Sequence, residues 1–498
     1  MKTLGIIDIG SNTIRLVVVQ FTEQQSYIIL DQVKESVRLG KDMLDGNLHP
    51  IRIRKALNAL YSFKNLCESL KTDEVIVVAT EAVRRAVNQA EFLAMVTEET
   101  GFRPRVLSGI DEAYYDYFAT VNSIDQAQGL VLDIGGSSME LIWQENRQAC
   151  HLTSLPFGAI NLSDQLNSLS GSSLERENQV KSLLFENLRE LSWLSKTDTL
   201  IGIGGSFRNI AKIDKKKRAY PIEMDHNYHL TADEVNGIHQ MVLNTAPSGR
   251  KEIKGLSSDR ADIFIGATTA ITSLLEYCGI TDIYVSGYGL REGIIYEQML
   301  TSRLPVNSVL DFSLENLLSK FRLNKHHARH VWFLSQTLFE QLILLHKIEA
   351  SQVNILKTAA LLHDCGINVN YYDHHLHSLY IILNSHINGL SHRELIMAAY
   401  TAAYHRKNNV KISEAHLSLL DYNDVGVIRK LGVILQIAEA LDRRMQANVK
   451  RIDCQLEEDN VTLKLLAQHN PDLEIREALE ASAAFCKLFG KQLYVVNG

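Results

Sequence analysis

The sequence predicts an α/β chain of two lobes, followed by an all-helical domain and a small α+β unit at the C-terminal end. Three observations predict it. Before residue 300, β-branched runs alternate with longer amphipathic stretches, the pattern of sheets covered by helices. Within that region a strand–turn–strand unit occurs twice, as LGIIDIGSNTIRLVVV at 4–19 and GLVLDIGGSSMELIW at 129–143. After residue 310 the pattern turns helical and histidine usage shifts with it: 12 of the 18 histidines lie between His326 and His416 and only five precede residue 300. A chain of 498 residues exceeds one core, and about two to four domains are expected. The boundaries read from composition are 1–124 and 125–302 for the lobes, 308–448 for the helical domain and 449–498 for the tail. The linker falls near TSRLPVNSVL (301–310), which carries Pro305 and Asn307.

Taken in order, the strand candidates are LGIIDIG (4–10), YIILDQV (27–33), EVIVVAT (74–80), RPRVLSG (103–109), GLVLDIG (129–135), ELIWQ (140–144), TLIGIGG (199–205) and DIYVSG (282–287). RIRKALNALYSFKNLCESL (52–70) is a typical intervening amphipathic helix, and 316–347 is helical throughout. NVTLKLLAQ (460–468), LEIREALEASAAFCKLFG (473–490) and QLYVV (492–496) read as strand, helix and strand.

Composition narrows the function classes. Apolar content of 46% and charged content of 22% are those of an ordinary globular protein. A net charge of −7 exerts no global pull on nucleic acid or membrane, so an anionic ligand needs local positive groups. Cys67, Cys150, Cys278, Cys365, Cys454 and Cys486 are scattered without a CxxC pair, which fits reduced thiols. MKTLGIID meets Asp8 before a signal-peptide core is complete, and no apolar run reaches the ~18 residues of a membrane helix. The expectation is a soluble cytoplasmic protein.

The duplicated unit carries the chemistry. Ile7-Asp8-Ile9-Gly10-Ser11-Asn12-Thr13 aligns with Leu132-Asp133-Ile134-Gly135-Gly136-Ser137-Ser138. Each is a strand, an acid, a glycine turn with hydroxyl side chains, and a second strand. Glycine permits close backbone approach and φ > 0, and hydroxyls donate, so such a turn suits phosphate oxygens. An acid at the strand end repels phosphate by itself; its natural role is to hold Mg²⁺ that bridges the phosphate. Two further glycine turns, Gly204-Gly205-Ser206 ahead of Arg208 and Gly287-Tyr288-Gly289 ahead of Arg291, each stand between a strand and a helix start. None matches a P-loop. Arg208, Lys212, Lys215, Lys216, Lys217 and Arg218 form a basic run, with Arg250, Lys251 and Lys254 further on; the run reads either as a polyanion track or as a solvated loop.

Read together and in order, IDIGSNTIRL (7–16), VRLG (37–40), ATEAVRRA (79–86), LSGIDEA (107–113), LDIGGSSMEL (132–141), IGIGGSFRNIA (201–211), DRADIFIGA (259–267) and SGYGLREGIIY (286–296) resemble the exopolyphosphatase / guanosine pentaphosphate phosphohydrolase (Ppx/GppA) family. LLHDCG (361–366), DHHLHSLYIILNS (373–385), YHRK (404–407) and ALDRR (440–444) extend the likeness to its longer members. The resemblance implies two actin-like lobes of the sugar-kinase and heat-shock ATPase superfamily, an HD-like helical domain, a homodimer, and hydrolysis of a terminal phosphate. The substrate it implies is inorganic polyphosphate, with guanosine pentaphosphate as the alternative; the cofactor is Mg²⁺, with Mn²⁺ as its alternative. No nucleic-acid or membrane partner is expected. The motif register makes Glu112, rather than Asp111, the base that activates water. Asp133, Glu140 and Asp8 are the implied metal acids. Ser11, Asn12, Thr13, Arg15, Arg84, Gly135, Gly136, Ser137, Ser138, Gly204, Gly205, Ser206 and Arg208 are the implied phosphate contacts. Glu81 and Arg85 depart from the family's ATSAxRDA pattern, which leaves open a sensor that binds polyphosphate or an alarmone without turnover. His327, His363, Asp364, His375, His405 and Asp442 form the implied HD-type metal set.

Overall fold

Two sheets organise the N-terminal region. Strands β1 (Thr3–Ile9), β2 (Thr13–Phe21), β3 (Tyr27–Ser36), β4 (Glu74–Ala79) and β5 (Arg105–Val106) form the first, in the order β3-β2-β1-β4-β5. Strands β6 (Gly129–Ile134), β7 (Met139–Glu145), β8 (Gln148–Leu155), β9 (Thr199–Ile203), β10 (Tyr228–Thr231) and β11 (Asp282–Val285) form the second, in the order β10-β11-β9-β6-β7-β8. In both, an antiparallel hairpin (β1–β2, β6–β7) adjoins a parallel neighbour (β4, β9). The computed structural model describes residues 2–22, 26–43, 45–300, 302–407 and 410–498.

β1 is a near-continuous apolar run because both of its faces are covered. Ile7 and Ile9 pack with Leu57, Leu60 and Phe63 of helix Pro50–Ser69, while Leu4 and Ile6 pack with Tyr115, Ile294 and Ile295. Leu130, Leu132 and Ile134 of β6 meet Phe207, Ile210, Phe264 and Ile271. Helix Gly109–Val121 and helix Leu290–Met299 cross so closely that a Cβ on Gly293 would stand 2.1 Å from the Tyr115 carbonyl oxygen. That crossing brings Glu112 and Arg291 to the same end of the sheets.

Three strands escaped the sequence reading: β8, β10 and one at Val449–Leu456. β8 (QACHLTSL) lacks clean alternation, and β10 spans only four residues. RPRVLSG contributes a two-residue strand. The expected linker is tied down at Val306, whose N–H donates to Asn122 Oδ1 (2.8 Å) and whose carbonyl accepts from Arg147 Nη2 (3.0 Å). Thr301 lies outside the described residues.

The chain divides into two units, one up to Val309 and one from Leu310 to Gly498. The second begins with helices that include Lys325–Gln341, Val353–Leu362, His374–Leu383, His392–Tyr404 and Asp424–Ala440. It continues with a three-stranded sheet, β12 (Val449–Leu456), β13 (Asn460–Ala467) and β14 (Gln492–Asn497). The single C-terminal helix expected from the sequence is two, Asp472–Leu479 and Ser482–Phe489.

Candidate active site

The two hairpins are equivalent residue by residue. Across β1–β2 Asp8 is paired with Arg15, and across β6–β7 Asp133 is paired with Glu140. Both turns close identically, Gly10 N–H on the Thr13 carbonyl (3.1 Å) and Gly135 N–H on the Ser138 carbonyl (3.0 Å). Each glycine amide is thereby spent within its own turn, which corrects the expectation that Gly135 offers its N–H to phosphate. Nor do Gly10, Gly135 and Gly136 adopt positive φ. Gly136 is needed for proximity: a Cβ there would lie 2.9 Å from the Ser11 Cβ, where one turn meets the other. Gly204 does use positive φ (+86°), and a Cβ on it would stand 2.3 Å from Asp133 Oδ1.

Helix Gly109–Val121 supplies the next acids. Ser108 Oγ accepts from Asp111 N–H (3.1 Å) and Asp111 Oδ2 accepts from Ser108 N–H (3.1 Å), a reciprocal cap. Asp111 is therefore committed to starting the helix. Glu112 turns inward, and Asp116, one turn later, shares its face. Asp116 was missed in the sequence, although its i, i+4 spacing from Glu112 was the available signal. Arg84 does not line the cavity as a free phosphate clamp. Its Nη1 donates to Glu112 Oε1 and the Leu107 carbonyl, and its Nη2 to Glu81 Oε2. Both prongs of the fork are filled, one of them by the departure at Glu81.

These elements enclose two adjoining cavities. One, of about 120 Å³, is lined by Asp8, Glu112, Asp116, Asp133 and Glu140, with Ser11, Asn12, Thr13 and Ser138 at its hairpin side. The other, of about 320 Å³, is lined by Arg15, Arg208, Arg260 and Arg291 with Lys34 and Lys212. Arg15, Gly205 and Arg260 border both. Ser137 and Ser206 line neither, contrary to expectation; Ser206 is buried in helix Gly204–Arg218. Arg260 and Arg291 were quoted in sequence motifs without being singled out for the site. A Cβ on Gly205 would overlap the Arg260 guanidinium at 2.2 Å, so that glycine makes room for the cation.

The acids repel one another. Burial pushes Glu112 up to about 9, with the charge of Glu140 adding to it and Arg84 opposing. Burial and Asp133 push Glu140 up to about 8; burial takes Asp133 to about 6 against the pull of Arg260 and Arg15. Asp116 is raised well above the usual carboxylate range, by burial, Asp133 and Glu140. Asp116 Oδ1 and Asp133 Oδ1 are buried with no hydrogen-bond partner. Carboxylate oxygens of Asp116, Asp133 and Glu140 lie within 4.8 Å of one another. An all-oxygen, multiply anionic set of this kind fits a hard divalent cation such as Mg²⁺. The arginines show the mirror image. Burial and neighbouring guanidiniums lower Arg15 and Arg260 to about 10. Among the described residues, no carboxylate pairs with Arg15, Arg208 or Arg260 within 4.0 Å. Asn12 Nδ2 is likewise buried and unpartnered.

A pH dependence follows for the metal-free protein. Each of these carboxyls titrates higher in the folded chain than in the unfolded one, so the folded state holds more protons. Stability is full below the unfolded values and falls as pH rises through about 6, 8 and 9 for Asp133, Glu140 and Glu112. Thermal melts in chelator are expected to show Tm falling over that range, with Mg²⁺ raising Tm most at the alkaline end. A Tm independent of pH would remove carboxylate repulsion as the cause.

The basic run lies on a helix rather than in a loop, and only some of it is available to a ligand. Lys215 is buried, its Nζ on the Glu223 carbonyl (2.7 Å) and paired with Asp225. Arg218 pairs with Asp214 and Glu234. Lys215 and Arg218 therefore leave the expected track. Arg208, Lys212 and Lys216 share one helix face, and the first two line the basic cavity. In the second unit His327, His363, Asp364 and His405 converge as expected. His374 joins them in place of His375, which stands one residue, or about 100°, further round the helix. Asp442 contacts the back of His327, at Nδ1 (2.8 Å), rather than joining the cluster.

Two sheets bearing like hairpins, with an acidic cavity adjoining a basic one, define an α/β protein whose site suits phosphate. Comparison with known proteins agrees. The model of the Ppx/GppA phosphatase family matches residues 17–302, and that of Ppx/GppA phosphatase domain III matches residues 309–481. The chain belongs to the Ppx/GppA phosphatase family. It is 24% identical over 490 residues to the guanosine-5'-triphosphate,3'-diphosphate pyrophosphatase of Vibrio vulnificus, covering 96% of this chain and 95% of that one. The crystal structure of the Aquifex aeolicus family member is 26% identical with a TM-score of 0.53, over 60% of this chain and 97% of that one. An exopolyphosphatase from Cytophaga hutchinsonii shares the fold, at 23% identity and a TM-score of 0.55 over 60% of this chain and 98% of that one.

Proposed function

We propose that the protein hydrolyses the terminal phosphoric anhydride of inorganic polyphosphate and releases orthophosphate. The observation that carries this reading is a five-carboxylate cavity that shares Arg15 and Arg260 with a second cavity, whose Arg15, Arg208 and Arg260 have no carboxylate partner among the described residues. The chain of phosphates lies along Arg15, Arg208, Arg260 and Arg291, with Lys212 continuing the path outward. The terminal phosphate sits at the hairpin turns against Asn12, Thr13 and Ser138. With Mg²⁺ offsetting the repulsion among its carboxylate neighbours, Glu112 would be ionised; it then holds a water and takes its proton as the water oxygen attacks phosphorus. The bridging P–O bond breaks, and the shortened chain leaves with that oxygen. Arg84 anchors one oxygen of Glu112 and so fixes the direction of the other. Asp116, Asp133 and Glu140 would hold Mg²⁺, which when bound offsets the charge of the phosphate oxygens.

The second reading is release of the 5′ terminal phosphate of guanosine pentaphosphate. Its support is the name of the Vibrio vulnificus relative, which this chain matches along nearly its whole length. Polyphosphate is placed first because four arginines and two lysines line the basic cavity, more cations than a single terminal phosphate calls for. Parallel measurement of kcat/KM on both substrates decides between them, and binding without release from either would make the protein a sensor. Arg208→Ala is expected to raise KM for long-chain polyphosphate by about 10- to 150-fold, the worth of one charged hydrogen bond of about 1.5–3 kcal/mol. An unchanged KM would take the chain off this path.

A further inference from the structure

We propose that Glu81 is a positioning residue for the reaction: it holds one prong of the Arg84 guanidinium, and so commits that cation to Glu112 and keeps it off the phosphate. The inference rests on the reading of the site given above and adds to it a residue that touches neither substrate nor metal.

Glu81 is 7% exposed, yet it lines neither cavity. An acid so buried needs a partner. Among the described residues its ion pairs are with Arg84 and, at 3.6 Å, with Arg85 Nε. The Arg85 side chain is 57% exposed and contributes little, so the pair with Arg84 is the one that holds Glu81 in place. That pair is local. Glu81 opens the single helical turn Glu81–Arg84, and a spacing of three residues puts both side chains on one face.

The turn stands at the wall of the acidic cavity. Thr80, just ahead of it, lines that cavity, and so does Glu112, on which the other prong of Arg84 rests. Only the Glu112 carboxylate separates Arg84 from the volume where the terminal phosphate is placed. Arg84 Nη1 donates to Glu112 and to the Leu107 carbonyl (2.7 Å), and Nη2 donates to Glu81. The side chain is 22% exposed, and a long flexible stem goes where its fork is satisfied. Without Glu81, Nη2 is left to another anion, and a filled site offers a phosphate oxygen. A contact there holds the substrate, and the orthophosphate that has to leave, more tightly. Tighter ground-state and product binding lowers KM without raising kcat. Glu112 meanwhile loses the support that aims its free oxygen at water. Glu81 also keeps Arg84 paired through the cycle, because a cation held by Glu112 alone loses its counter-charge whenever Glu112 takes up a proton.

The test compares the full wild-type chain with Glu81→Met and Glu81→Gln in Mg²⁺, by calorimetric titration with orthophosphate and by steady-state release from long-chain polyphosphate. Affinity is measured apart from turnover, so a chain that hydrolysed nothing would fail the hydrolase reading and still return this comparison. Glu81→Met keeps the volume and removes both charge and acceptor. It is expected to bind orthophosphate about tenfold more tightly, the lower end of the worth of a charged hydrogen bond. Its kcat is expected to fall about tenfold, part of the about 10²- to 10⁴-fold that a positioned base supplies, with KM falling as well. Glu81→Gln restores a neutral acceptor and is expected to lie between Glu81→Met and wild type. In an Arg84→Met background, Glu81→Met is expected to leave orthophosphate affinity where Arg84→Met alone puts it, because Glu81 acts through Arg84. A merely structural role would lower kcat at unchanged or weaker orthophosphate affinity. That result, in Glu81→Met protein whose thermal melt shows it folded, overturns the inference. So does tighter orthophosphate binding that persists without Arg84.

Discussion

Glu112→Gln is expected to lower kcat for phosphate release by about 10²- to 10⁴-fold, the usual worth of a positioned general base, and to leave KM and Mg²⁺-dependent stabilisation near wild type. The amide keeps the volume and the hydrogen-bond reach of the carboxylate but cannot take a proton at neutral pH. The fold tolerates the change because Arg84 retains a carboxylate partner in Glu81. Steady-state kinetics together with melts in Mg²⁺ separate a lost base from lost structure. Full activity in the variant would move the base elsewhere, and Asp116, on the same helix face, would be the first residue to examine.

Asp133→Asn is expected to act in opposite directions on activity and on stability. Phosphate release should fall by about 10²- to 10³-fold, the scale on which one transition-state charge stabiliser is lost. The metal-free protein should become more stable at neutral pH and above, on the order of 1–3 kcal/mol, because a carboxyl raised to about 6 no longer has to ionise in a buried site. The Tm gain with Mg²⁺ should shrink in parallel. A variant with both lower activity and lower apo stability would mean that Asp133 supports the fold rather than a cation. The same reasoning covers Gly204, whose missing Cβ leaves Asp133 Oδ1 its place.

Much of the site was legible in the chain because its grammar is local. An acid, a glycine turn and a second strand set a hairpin register, and that register alone pairs Asp8 with Arg15 and Asp133 with Glu140. Ser108 three residues before Asp111 is a helix start, and period then turns Glu112 inward. The duplication, the strand–helix alternation and the histidine-rich helical half are likewise properties of periodicity and composition, available before any contact forms.

Convergence is a different matter, because it depends on which ends of distant elements meet. Arg260 and Arg291 reach the basic cavity from segments far from the hairpins, and no spacing rule joins them to Arg15. Half of the filled fork of Arg84 is local, with Glu81 three residues before it on the same helix, and the other half needs Glu112 to arrive from a second helix. Lys215 looked like a surface charge until the Glu223 carbonyl and Asp225 closed over it. In the second unit, sequence supplied histidines in number, but helix rotation chose His374 over its neighbour. Local sequence determined which elements form and which side chains they offer. Tertiary structure decided which of those atoms share one desolvated volume, and there burial and mutual charge, rather than residue type, set their chemistry.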